Sequence, residues 1–300
     1  MPDDFMNLRT GEITKDVTKL TTKRQEDNIS DFKIRIKKAR KLNKLIAQHC
    51  GGFFFYRYDN LLEAANGKTD VAFRFVYLCA CATTEGYFIK YNKELCKTID
   101  DFTYIFENTK KSARNYIEQL KECNLIFKDE QGYKLNPMYY YCNLDDEDKK
   151  RRSIRTFREC IKELYRNSDP GEHKYMGEIL KFVQYINIYN NVLCWYPEEP
   201  DKEKIQPLTI QEIRFILRSN STYGYTLMNK LEDLFVKGEP VFGKFKAANE
   251  YHYIINPRLL YRGNEPSQFQ ALIDQFDISK GQYLNRKENN IKKKNMVKEM

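Results

Sequence analysis

The chain has 300 residues, 41% of them hydrophobic and 14% aromatic, enough apolar material for two packed domains and too much for wholesale disorder. The formal net charge of +9 is unevenly placed: residues 15–44 carry eleven Lys/Arg against four Asp/Glu, residues 280–300 carry seven against two, and residues 45–279 come to about −1. Basic ends around a neutral body point to a polyanionic partner gripped by arms, and the apolar stretch Val71 to Ala82, interrupted by Arg74, is too short to cross a bilayer.

The start, Met1-Pro2-Asp3-Asp4, lacks the basic and then apolar layout of a signal peptide, so a soluble cytoplasmic protein without a membrane partner is expected. Eight cysteines never form C-x-x-C, and His49, His173 and His252 are scattered. Reduced thiols are therefore expected in place of a zinc site, and no cofactor is expected.

In chain order, residues 1–28 are polar and turn-rich and are expected to lack regular structure. Ser30 is a candidate N-cap for a basic helix carrying Phe32, Ile36, Leu42, Leu45 and Ile46, which should end near Gly51-Gly52. A β-prone run, Phe53 to Tyr56, and a short helical stretch to Asn66-Gly67 follow. The spacing predicts a buried helix over 71–81, a turn at Glu85-Gly86 and a short strand over Tyr87 to Tyr91. Thr98 should cap a helix bearing Phe102 and Ile105, and Asn108 or Thr109 the next, which turns Ala113, Ile117 and Leu120 inward. Leu125 to Phe127, the turn Asp129 to Gly132 and Tyr133 to Leu135 form a hairpin.

Asp145 to Asp148 and then Lys149 to Arg152 switch charge at the start of an expected connecting helix, with Ile154, Phe157, Ile161 and Leu164 on one apolar face. A helix from Tyr175 through Ile186 and a strand-like stretch over Asn191 to Tyr196 come next. Thr209 should cap a helix bearing Ile213 and Ile216, and a further helix should span Ser219 to Leu231. The hairpin region Leu234 to Asn256 is about nine residues longer than its first counterpart. The tail holds a short amphipathic piece with Phe269, Leu272, Ile273 and Phe276, then a lysine-rich end.

The layout repeats. Shifting the first copy by 111 places lays Phe102, Ile105, Ile117 and Leu120 on Ile213, Ile216, Met228 and Leu231, and the copies close on Leu135-Asn136-Pro137 and Ile255-Asn256-Pro257. Helix, short strand, two helices and a hairpin is the order of a winged helix. The expected class is α+β, mainly α, with two tandem winged-helix domains at 70–144 and 175–264. They are flanked by basic extensions at 1–69 and 265–300 and joined by a connecting segment at 145–174.

In a winged helix the third helix enters the major groove. In the first copy its outer face carries Thr109, Lys110, Lys111, Arg114 and Asn115: Arg114 can meet guanine, Asn115 adenine, and the lysines phosphate. In the second copy the matching face holds Thr222, Tyr223 and Tyr225, polar and aromatic but uncharged, which suits weak DNA binding or a protein partner. Lys128, Lys244 and Lys246 on the hairpins can reach a backbone or minor groove. The clusters Tyr139-Tyr140-Tyr141 and Tyr251, Tyr253, Tyr261 fit a core better than base stacking.

Two enzyme signals fail. Gly67-Lys68-Thr69 resembles the end of a phosphate-binding loop, but Leu62 stands where the earlier glycine belongs, and the histidines supply no metal-binding pair beside a tyrosine nucleophile. No catalytic set is found.

The phrases Gly86 to Asn92, Leu120 to Ile126, Asn190 to Glu199, and Ile255-Asn256-Pro257 with Tyr261-Arg262-Gly263-Asn264 carry a resemblance over residues 70–264. The chain resembles winged-helix proteins of phages and plasmids of low-GC Gram-positive bacteria, among them the RepL-type replication proteins. The first copy departs from the pattern, having Tyr141-Cys142-Asn143 where an aromatic, Arg/Lys, Gly sequence is typical. The resemblance implies double-stranded DNA binding in replication initiation or its transcriptional control, inside a bacterial host. Host replication or transcription proteins are implied as further partners, and homodimer formation is left open. The alternative is a phage-encoded module that binds a host protein through its winged helices.

Overall fold

The computed structural model describes residues 3–6, 13–17, 23–90, 93–143, 152–217, 221–247 and 250–278, with the side chains of residues up to 27, 221–225, 247 and 250 excepted. Among these the fold is α+β and mainly helical, with small antiparallel sheets. Contrary to the expectation that residues 1–28 lack regular structure, a hairpin of β1 (Asp3–Met6) and β2 (Ile13–Val17) precedes α1 (Lys23–His49). That helix begins well before Ser30, which lies inside it: the good helix formers Lys23, Arg24, Gln25 and Glu26 extend it past the candidate cap. Residues 28–41 of α1 are all exposed, Phe32 at 63%. Its apolar docking is confined to the last turns, where Leu42 and Ile46, with Cys50 just beyond, join Phe269, Leu272, Ile273 and Phe276 of a helix over residues 266–278, while Lys38 bonds Glu265 at 2.9 Å.

Two units of one layout lie between these ends. The first runs β3 (Phe53–Arg57), α2 (Leu61–Ala64), α3 (Thr69–Cys81), a 3-10 turn (Ile99–Asp101) leading into α4 (Phe102–Phe106), α5 (Lys110–Glu122), the hairpin β4 (Ile126–Lys128) and β5 (Tyr133–Leu135), and β6 (Tyr140–Tyr141). The second runs β7 (Ser153–Phe157), α6 (Arg158–Arg166), α7 (His173–Glu178) continued by a 3-10 segment (Ile179–Tyr185), α8 (Ile210–Ile216) and α9 (Ser221–Glu232). A small hairpin of β8 (Phe235–Val236) and β9 (Glu239–Pro240) follows, then the hairpin β10 (Phe242–Ala247) and β11 (Glu250–Ile255), and β12 (Leu260–Tyr261). The extra length of the second hairpin region is mostly this inserted β8–β9 turn.

The short strands expected after each first helix are isolated bridges: Tyr87 with Lys134 and Ile89 with Leu95 in one unit, Val192 with Ile254, Leu193 with Ile186 and Cys194 with Pro207 in the other. The Lys134 and Ile254 bridges tie each stretch to the hairpin's second strand; Tyr91 lies outside the described residues. The two Asn-Pro phrases are structurally equivalent. Asn136 Nδ2 donates to the Asn124 carbonyl at 2.7 Å and its Oδ1 accepts from Met138 N at 2.9 Å; Asn256 Nδ2 donates to the Pro240 carbonyl at 3.0 Å and its Oδ1 accepts from Arg258 N at 2.9 Å. An asparagine is needed because one side chain must both donate and accept.

A sheet in the order β12-β7-β3-β6 joins the units. Its register is symmetric: Phe53 pairs with Phe157 and Arg57 with Ser153, so Phe55 faces Arg155 at the centre, while Tyr56 pairs with Tyr140 on one side and Thr156 with Leu260 on the other. Adding 100 to the β3 numbers and 120 to the β6 numbers turns one half into the other. The flanking backbone bonds obey the same rule, Arg57 N to Tyr139 O beside Phe157 N to Leu259 O, and Tyr58 N to Arg152 O beside Arg158 N to Gly52 O. A local two-fold axis therefore passes between Phe55 and Arg155.

Ile154 and Phe157 were expected on a connecting helix, but residues 153–157 are a strand, and the helix begins at Arg158 with Ile161 and Leu164 inward. All five strand residues are buried, so the alternation that marks a half-exposed strand is missing, and a short buried run cannot be told from a helix by period. Residues 144–151, which hold the charge switch up to Arg151, lie outside the described residues.

One core serves both units. Tyr77 of α3 stacks on Tyr165 of α6 with centroids 3.6 Å apart, and Gly177 lets α7 lie against the start of α3, since a Cβ there would overlap the Thr69 carbonyl oxygen.

Candidate nucleic-acid interface

Thr109 caps α5, its hydroxyl accepting from Ser112 N at 3.3 Å, and Asn108 Oδ1 in turn accepts from Thr109 N at 2.8 Å. Ala113, Tyr116, Ile117 and Leu120 bury the inner face. Arg74 of α3, only 6% exposed, anchors it: the guanidinium lies 3.9 Å above the Tyr116 ring and bonds Gln119 Oε1 at 3.2 Å and Asp70 at 2.9 Å. In the sequence Arg74 stands only as a break in an apolar run, and its spacing of four from Asp70 is the one local signal of this role.

Fixing the inner face leaves Lys110, Lys111, Arg114 and Asn115 exposed on the outer one. Asp100, just before α4, was also missed. It bonds Lys110 Nζ at 3.0 Å and lies 3.8 Å from Arg114 Nη2, so it gathers two of the candidate contacts and competes for them with any phosphate. Both cations stay well exposed, at 74% and 61% of their side chains.

The β4–β5 hairpin is pinned beside α5. Tyr133 N donates to the Cys96 carbonyl at 2.9 Å and Leu135 N to the Gly86 carbonyl at 2.9 Å. At the turn, Asp129 accepts from Gln131 N, Gly132 N and the Tyr87 hydroxyl, which stands 2.7 Å away. The Tyr87 hydrogen bond, aided by the backbone donors, holds that carboxyl below the usual range. Lys128 is exposed on β4, its ammonium 5.5 Å above the ring of its cross-strand neighbour Tyr133.

The second unit repeats this last contact and changes its setting. Lys244 faces Tyr253 across β10–β11, its ammonium 5.5 Å from that ring and 4.8 Å from Tyr251. Glu232 at the end of α9 holds it at 3.0 Å and also accepts the Tyr253 hydroxyl at 2.6 Å. The place of Glu232, 111 residues on, is held by Lys121 in the first unit, so the charge beside the hairpin is reversed. Lys246 is exposed and stands in register opposite Tyr251. Thr222, Tyr223 and Tyr225 lie on the α9 backbone, and their side chains fall outside the described ones; Leu227, Met228 and Leu231 pack inward. A groove of about 430 Å³ between α8, α9 and the hairpin is lined by Arg214, Asn229, Glu232, Lys244, Tyr251 and Tyr253.

Of the tyrosine clusters, Tyr139, Tyr140, Tyr253 and Tyr261 are buried, and Tyr251 is 53% exposed beside Lys244. The structure thus brings Lys110 and Arg114 together over Asp100, and ties Lys244 to Glu232. All eight cysteines are free thiols, five of them buried. Among the described residues no helix is long and apolar enough to cross a membrane. Set against family models, curated proteins and solved structures, the chain matches none of them.

Proposed function

We propose that the two units are winged helices and that the chain is a non-enzymatic, sequence-specific double-stranded DNA-binding protein of a phage or plasmid, acting in replication initiation or its transcriptional control. The observation that carries the reading is α5: a capped, core-anchored helix presenting Lys110, Lys111, Arg114 and Asn115 outward, next to a hairpin bearing Lys128. Arg and Asn are the residue types that read guanine and adenine edges, and lysines neutralise phosphate. The order helix, bridge, helix, helix, hairpin in both units supports the fold assignment. The exposed helix over 28–41, with six Lys/Arg against Asp31, adds a sequence-independent grip.

A second reading applies to the second unit, where Glu232 occupies the place of a lysine and neutralises Lys244, which weakens its grip on phosphate: that face would then bind a host protein. The test is fluorescence anisotropy with labelled duplex DNA at two salt concentrations. The full chain should bind with steep salt dependence, and joint replacement of Lys110, Lys111 and Arg114 by Ala should remove most of the affinity. Absence of duplex binding at low salt would sink the DNA reading.

A further inference from the structure

Resting on that reading, we propose that the DNA site is an imperfect inverted repeat: two half-sites in opposite orientation and of unequal strength, centred on the local two-fold axis between Phe55 and Arg155. Two copies of a module in one chain can be related by translation, which suits direct repeats, or by a two-fold, which suits inverted ones. The register decides between these. Phe53 with Phe157 and Arg57 with Ser153, flanked by Tyr56 with Tyr140 and Thr156 with Leu260, is a two-fold arrangement, and no translation produces it.

The units are also alike out to the candidate interface, so the two-fold at the sheet relates like surfaces. Asn136 and Asn256 make the same bonds, α4–α5 and α8–α9 carry apolar positions 111 apart, and Lys128 over Tyr133 matches Lys244 over Tyr253 at the same 5.5 Å. A duplex has its own two-fold axes across its length. Two like surfaces joined by a two-fold make equivalent contacts with one duplex only when the axes coincide, which lays α5 and α9 in opposite senses on half-sites about one helical turn of ~10 base pairs apart, or a multiple of it.

The half-sites are unequal because the side chains are. The α5 face has Lys110, Lys111 and Arg114, the α9 sequence has no Lys/Arg before Lys230, and Lys121 is replaced by Glu232 at the hairpin. One chain therefore supplies what a symmetric dimer would, but with one strong reader.

The experiment selects bound fragments from a random-sequence duplex pool with the full-length chain and with Arg114→Ala, and measures chains per selected site by native mass spectrometry. Expected are two motifs of opposite orientation, one more sharply defined than the other, with one chain per site. The Arg114→Ala pool should lose preference at one position of the sharper half and leave the weaker half unchanged. A single motif, two motifs in the same orientation, an equal loss in both halves or two chains per site would each overturn the inference while leaving DNA binding standing. Failure of the pool to enrich at all would overturn the DNA reading beneath it.

Discussion

Arg158 and Arg262 close α3 and the 3-10 segment that continues α7 from positions that are not equivalent in the chain. Arg158 Nη1 donates to the carbonyls of Cys79, Ala80 and Ala82 at the end of α3, at 2.9, 3.0 and 2.8 Å, and Nη2 to the Tyr140 hydroxyl at 2.9 Å. Arg262 Nη1 donates to the carbonyls of Gln184 and Ile186, at 3.4 and 3.1 Å, and Nη2 to the Tyr58 hydroxyl at 3.0 Å. By the symmetry of the sheet, Tyr58 matches Arg158 and Cys142 matches Arg262. The arginine missing from Tyr141-Cys142-Asn143 is thus supplied by the first residue of α6, just after β7, and Cys142 Sγ lies 3.9 Å from the Arg158 guanidinium. Three carbonyls lose their donor in Arg158→Ala, so its urea midpoint should fall by the equivalent of about 2–4 kcal/mol, and that of Arg262→Ala by less. Lysine should not rescue either, because one ammonium cannot reproduce the planar fork.

On a selected DNA site, Arg114→Ala should cost roughly 1–3 kcal/mol and relax preference at one position, whereas Lys111→Ala should weaken all sequences alike. Asp100→Asn should act in the opposite direction, strengthening binding by up to about 1 kcal/mol, since it releases Lys110 and Arg114 from a competing carboxylate. Titrations at one salt concentration read all three, and a weakened Asp100→Asn would show that this carboxylate positions the cations productively.

Replacing Glu232 tests the division of labour between the units. Glu232→Lys restores the residue type of Lys121 and frees Lys244, so duplex affinity should rise and its salt dependence steepen by about one to two counterions. Unchanged affinity would mean that the second hairpin never approaches DNA.

Acid should loosen the contact between the units through His173. Burial against Tyr165, 4.4 Å away, and then the nearby Arg74 charge depress this imidazole from 6.5 to about 4. The unfolded chain binds the proton more readily, so the contribution is fully present above pH 6.5 and is lost as pH falls toward 4, up to roughly 3 kcal/mol in all. Chemical denaturation between pH 7 and 4 should show a steeper loss for the native chain than for His173→Gln; parallel curves would remove His173 from the account.

What the sequence determined by itself is local. Apolar positions three and four apart set the inner faces of α3 and α5, the caps Thr109 and Thr209 fall where expected, and Asp129 to Gly132 turn the first hairpin, because each depends on neighbours within a few residues. Even the duplication is legible, since both copies must solve one packing problem. Tertiary structure alone decided that 153–157 is a strand, that β3 and β7 pair across a two-fold, that Arg158 stands in for an arginine absent at 142, and that Asp100 and Glu232 face the candidate cations. These relations join residues from about ten to a hundred positions apart, and a fully buried five-residue strand carries no period from which its partner or its face can be read.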